Sequence, residues 1–203
     1  MRATLILLAA IGLVFVLQFA ISGFTEAFVL DSSELGARPW TLVTAMFLHG
    51  DFAHLFYNAL ALLLFGLVLE SIIGTRRFWL LYFIGGILAG IVATLFYPAS
   101  LGASGAIFAV LGMLAVLRPR MIVWVAGFPM PMVVAAFVWV AIDLVGFIAP
   151  SGVANAAHIA GLLFGIVAGF ALRKRFGAPF TRRAARRVLS KGAIDKWEDE
   201  WVR

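Results

Sequence analysis

Apolar residues in this chain fall in long runs, and short polar stretches separate the runs. A helix needs about 20 mostly apolar residues to cross a hydrocarbon core. Several runs reach that length, whereas the roughly ten-residue alternating segments of a membrane barrel are absent from the pattern. Six spans follow, at about 4–22, 52–70, 78–97, 102–117, 131–148 and 154–172. The stretch 121–130 between the fourth and fifth is apolar but interrupted by Pro129, with Pro131 just beyond. Proline removes a backbone donor and ends helices, so this stretch reads as an interfacial connector, with Trp124 at headgroup level. The fifth helix then starts near Pro131. The first span resembles a signal peptide in outline, but it is too long for an h-region and has no Ala-x-Ala site before Phe24-Thr25-Glu26, so it reads as a retained helix.

Composition sharpens the class. Hydrophobic residues make up 64% of the 203 and charged ones only 13%, with a mean hydropathy of +1.06; a soluble domain carries about 25% charged residues. The expected fold is all-α: a polytopic, six-transmembrane-helix bundle over residues 1–175, followed by a basic tail at 176–203. The chain has no cysteine, so disulfides, thiol nucleophiles and thiolate-held metals drop out.

Charge adds orientation. With the N-terminus inside, Arg2, Arg76, Arg77, Arg118, Arg120, Arg173, Lys174, Arg175 and the tail's basic residues all fall on the inner side, and only Arg38 falls outside. The outer segments carry Glu26, Asp31, Glu34, Asp51 and Asp143. Lysine and arginine mark cytoplasmic flanks, so both termini are expected in the cytoplasm. The basic run after the last span suits anionic headgroups better than nucleic acid, and the net charge of +6 speaks of topology, not of a ligand.

Polar side chains inside the bilayer are costly and mark function by default. Four stand out: Ser104 in Gly102-Ala103-Ser104-Gly105, His158 in the last span, and His54 and Asn58 on one face of the second. Given the alternating direction of the spans, all four lie at one depth, just below the outer surface. A serine hydroxyl needs a neighbouring base to become a nucleophile, and histidine is the usual one. Gly102 and Gly105 allow a sharp turn and a close backbone approach. The Ser104 amide at a helix N-terminus, with His54 and Asn58, would then receive a developing oxyanion. No acidic residue is evident behind His158, which predicts a Ser–His dyad without a third carboxylate. Each residue also has a plain reading: a serine bonding its own helix, His54 and Asn58 bridging helices, His49 pinning the start of the second span. The coincidence of depth on three helices favours function.

Glycines support the geometry. Gly161, Gly165 and Gly169 recur every four residues below His158, a stripe that lets another helix approach closely. The fourth helix, with Gly105 and Gly112, is the expected neighbour. Gly66, Glu70 and Gly74 form a second stripe, in which Glu70 is expected to bond loop amides or Arg76, and Gly86 with Gly90 a weaker third. A histidine-lined channel or transporter is disfavoured, because no polar residues continue to the inner side. A metal is not expected, for the chain has no His-Glu-x-x-His pattern.

Together, Gly102-Ala103-Ser104-Gly105, Ala157-His158-Ile159-Ala160-Gly161 with Gly165, His49-x4-His54-x3-Asn58 and Gly66-x3-Glu70-x3-Gly74 resemble the rhomboid family of intramembrane serine proteases in its six-helix form. The resemblance covers about residues 40–170. It implies Ser104 as nucleophile, His158 as general base, and an oxyanion site from the Ser104 amide, His54 and Asn58, with His49 and Gly102 close by. It implies transmembrane protein substrates cut near helix-destabilising small residues, no cofactor, no metal, and a gate formed by the fifth helix and the overlying outer loop. Where some members carry a tyrosine that stacks on the histidine, this chain has Phe108, which can also stack. Where the first outer loop often holds a Trp-Arg pair, this chain has Trp40-Thr41, with Arg38 two residues earlier, and the loop is short. A catalytically silent, membrane-protein-binding relative is the alternative, but such members lack the serine or histidine kept here. The expected setting is a prokaryotic plasma membrane, among lipids, with the site open to the extracytoplasmic side.

Overall fold

In the computed structural model, which describes residues 2–149 and 152–177, the apolar runs are helices. Four of them are long and apolar enough to cross a membrane: α1 (Arg2–Ala20), α2 (Phe52–Ile73), α3 (Thr75–Thr94) and, last in the chain, α6 (Asn155–Phe176). Two shorter apolar helices lie between, α4 (Ser104–Leu117) and α5 (Met132–Ile148). The chain thus forms a multi-pass helical membrane bundle, with each helix within a few residues of its expected span. The tail expected at 176–203 lies outside the described residues from 178 onward.

Helix α4 is only 14 residues long, about 21 Å at 1.5 Å per residue. It needs no lipid-facing length, because nearly all of it is buried among the other helices. Its closest packing is on α6, and the glycines explain why. A Cβ on Gly161 would run into the carbonyl of Gly105, one on Gly165 into that of Ala109, and one on Gly112 into that of Leu162. With no hydrophobic effect between helices in lipid, such close backbone approach is a main source of attraction.

Helix α2 opens on Asp51, whose side chain accepts from the His54 N–H at 2.8 Å, a standard N-cap bond. A π-helical turn at Leu62–Gly66 interrupts it. Near its far end, buried Glu70 accepts from the N–H groups of Ala3 (3.1 Å) and Thr4 (3.0 Å) and from the hydroxyls of Thr4 (2.8 Å) and Thr75 (2.7 Å). These amides belong to the first turn of α1, not to a loop. A carboxylate there satisfies helix-end donors and meets the positive end of the dipole. Glu70 thereby ties α1 to α2 and to the start of α3.

Two small sheets join the helices. Strands β1 (Leu30–Asp31) and β2 (Ala99–Ser100) pair antiparallel, which links the loop between α1 and α2 to the turn before Ser104. In that loop, the Ser33 hydroxyl and amide both donate to Asp31 and hold its carboxyl below the ordinary range. The connector after α4 is a β-hairpin of β3 (Ile122–Val125) and β4 (Phe128–Pro131), closed by Ala126 and Gly127 at φ 49° and 84°. Two consecutive positive φ values are the type I′ turn that matches strand twist. Pro129 and Pro131 are two apart, so both missing donors fall on the edge away from β3, where they are tolerated. Trp124 and Phe128 stand exposed on this hairpin.

Candidate active site

The turn before α4 is built around Gly102. Its φ is 123°, its N–H donates to the Ala45 carbonyl at 2.9 Å, and a Cβ would lie 2.8 Å from Cε1 and Nε2 of His54. Only glycine suits such a backbone and such a neighbour. The turn delivers Ser104 as the first residue of α4, where a backbone N–H has no intrahelical partner.

From α6, His158 reaches across: its Nε2 lies 2.8 Å from Ser104 Oγ. Phe108, one turn below Ser104, lies flat against the imidazole, with ring centroids 4.3 Å apart and planes 11° apart. The close α4–α6 packing described above makes this span possible.

Sequence reasoning missed one neighbour of His158. Asp143 Oδ1 lies 2.9 Å from His158 Nδ1, and the residue is 4% exposed. Two expectations are corrected by this. Asp143 is not an outer-segment charge but sits inside α5, facing α6, and His158 does have a carboxylate behind it. The signal was available: α5 follows α4 and runs back toward the level of Ser104, so a residue near its end shares the depth of one near the start of α6. Asp143 lies five residues before Ile148, and His158 three after Asn155.

His54 and Asn58 line the same cavity as Ser104 and His158, a cleft of ≈ 1130 Å³ that also touches Phe108 and Trp139. The Gly50 N–H donates to His54 Nδ1 over a long 3.4 Å, which leaves Nε2, the atom nearest Gly102, to carry the ring hydrogen. Asn58 donates one amide hydrogen to the His54 carbonyl at 3.1 Å, and an amide nitrogen has a second to offer. His49 does not line the cleft. It is buried behind His54, edge-on at 5.0 Å, in the loop ahead of α2. Burial, then the neighbouring His54, lowers its pKa to about 4, so it is a neutral packing element at ordinary pH. Its backbone is clamped by Gln18 of α1, which accepts from the His49 N–H (3.0 Å) and donates to the His49 carbonyl (3.1 Å).

A serine hydroxyl against an imidazole, a glycine turn and amide and ring donors thus meet in an open cleft inside a helical membrane bundle. Comparison with known proteins shows the family. The family model for the rhomboid domain matches residues 36–175, and the chain belongs to the rhomboid family. It is 37% identical over 155 residues to the rhomboid protease GluP of Bacillus subtilis, a stretch covering 74% of this chain and 29% of that protein. It is 35% identical over 139 residues to RHOMBOID-like protein 4 of Arabidopsis thaliana, covering 68% and 35%. It is 32% identical over 163 residues to the mitochondrial rhomboid protein 1 of Saccharomyces cerevisiae, covering 74% and 47%. The chain therefore spans less than half the length of these curated relatives.

Proposed function

We propose that this protein is an intramembrane serine endopeptidase acting on transmembrane segments of other membrane proteins. The observation that carries the reading is the 2.8 Å contact between Ser104 Oγ and His158 Nε2 at an open cleft within the bundle. Ser104 attacks the scissile carbonyl carbon while His158 Nε2 takes the hydroxyl proton. The oxyanion forms against the Ser104 amide, the His54 Nε2–H and the free amide hydrogen of Asn58. Collapse breaks the C–N bond, and His158 returns its proton to the leaving amine. Water, activated by the same base, then hydrolyses the acyl-serine.

Water is scarce in a bilayer, so the site belongs just below one surface, open to that side. The arginine distribution supports the extracytoplasmic side, with both termini cytoplasmic; a prokaryotic plasma membrane fits the six-span form. A helical substrate carbonyl is already hydrogen-bonded, so the target must unwind. This favours cuts near glycine, alanine, serine or proline. Kinship to the rhomboid protease GluP supports the reading at family level.

The deciding experiment is cleavage of a model transmembrane substrate in liposomes by the wild type, Ser104→Ala and His158→Ala proteins. Cleavage by the wild type alone is the expected result, with each variant reduced by about 10³-fold or more. Undiminished cleavage by Ser104→Ala would overturn the mechanism.

A further inference from the structure

We propose that Asp143 is a positioning residue of this site, holding His158 in the one tautomer that can act as base; this rests on the serine-protease reading above. Four observations carry it. First, Asp143 is 4% exposed on an apolar helix. A carboxylate in such a place is expensive unless it has a partner, and the partner it has is His158 Nδ1 at 2.9 Å. Second, the two imidazole nitrogens have distinct neighbours, the carboxylate on Nδ1 and Ser104 Oγ on Nε2. An ionised carboxylate only accepts, so Nδ1 must carry the hydrogen and Nε2 keeps its lone pair for the serine proton. The same contact stabilises the imidazolium that forms as that proton moves.

Third, α5 is shaped to make the contact. Gly146, one turn on from Asp143 and on the same face, faces Asn155 at the start of α6; a Cβ there would lie 2.8 Å from Asn155 Nδ2. The missing side chain lets α5 close on α6 at the level of Asp143. Fourth, Trp139, one turn before Asp143, packs edge-on against Phe108 at 6.5 Å, and Phe108 covers the face of the His158 ring. Asp143 fixes the imidazole in its plane while Phe108 fixes it from above, and both depend on the inner face of α5. The arrangement is a Ser104–His158–Asp143 relay on three separate helices, not the dyad expected from the sequence.

The test uses the full chain in liposomes, with Asp143→Asn, nearly identical in shape, and Asp143→Glu, which keeps the charge. Asn can present its NH2 to Nδ1 and so favour the wrong tautomer. The expected result is a kcat lower by at least ~10²-fold in Asp143→Asn with KM changed less than ~3-fold, and ~10-fold recovery in Asp143→Glu. Nitrogen-15 spectra of the wild type, with His158 assigned by its loss in His158→Gln, should show the hydrogen on Nδ1; Asp143→Asn should move it to Nε2. A purely structural Asp143 would lower the unfolding temperature without changing the tautomer or kcat of the folded fraction. Wild-type kcat in Asp143→Asn, beside an inert Ser104→Ala, would overturn the role of Asp143 and leave the protease reading intact. Cleavage by Ser104→Ala would instead sink that reading. Should Asp143→Asn fail to fold, the wild-type spectrum still decides: hydrogen on Nδ1 supports the assignment, and hydrogen on Nε2 refutes it.

Discussion

Gly102 concentrates three demands on one residue. Its φ of 123° lies where side chains are strained, its N–H is used by Ala45, and its missing Cβ leaves room for the His54 ring. Gly102→Ala should therefore strain the backbone by about 1–3 kcal/mol and push the His54 ring off the site. On the proposed mechanism we expect a lower unfolding temperature together with a loss of cleavage of about 10-fold or more, as a donor proposed for the oxyanion moves away. Wild-type turnover in Gly102→Ala would show that His54 does not need its present position. At this scale the sequence was informative where a residue broke the local pattern. Ser104, His158, His54 and Asn58 are polar in apolar helices, and the polar anomaly was visible. Asp143 is just as anomalous, but it lies near a helix end, where a charge also reads as a loop residue. For His49 two readings stood side by side, pinning the start of the second span and lying close to the site; it shares a motif with His54, and spacing does not say which ring faces the cleft and which packs behind.

Helices α4 and α6 illustrate what element-level reading can do. The four-residue glycine period on α6 is a statement about how close another backbone can come, and the partner could be chosen because α4 carries its own glycines. Gly161→Val tests the inference most directly, since the new side chain would meet the Gly105 carbonyl one residue beyond Ser104. Overpacking of this kind costs about 1–3 kcal/mol and shifts backbone, and a shift of about 1 Å at a nucleophile lowers rates by about 10². Gly161→Val should insert into membranes normally yet cleave its substrate at less than about 1% of the wild-type rate. Normal turnover would show that close α4–α6 packing is not what aligns Ser104 with His158. The β3–β4 hairpin was not legible, and physics explains why. Its positive-φ turn, Ala126-Gly127, lacks the usual Asn-Gly signal, and prolines in β4 argued against a strand until their placement on an outer edge was known.

Across the whole molecule, the two ends of the bundle have different chemistry. At one end Glu70 caps α1, Arg118 donates to the Phe176 carbonyl at 2.7 Å, and the Arg77 guanidinium lies 5.1 Å from the Phe176 ring centroid. At the other, Gln18 clamps His49, the Tyr97 hydroxyl accepts from the Ala156 N–H at 3.1 Å, and Ser104 meets His158. Among the described residues, the basic side chains other than Arg38 thus gather at the end away from the candidate site, as a membrane protein with its positive end in the cytoplasm would require. The absence of cysteine makes this directly measurable, because any introduced thiol is the sole one. A cysteine replacing Gly36, exposed in the first outer loop near β1, should react with a membrane-impermeant maleimide added to intact cells. One replacing Arg120, in the turn between α4 and β3, should react only after the membrane is permeabilised. The reverse pattern would place the cleft on the cytoplasmic side, so that substrates would be cut near their cytoplasmic ends. Equal labelling of both positions before permeabilisation would contradict a single orientation altogether, and with it the argument that the arginines set one.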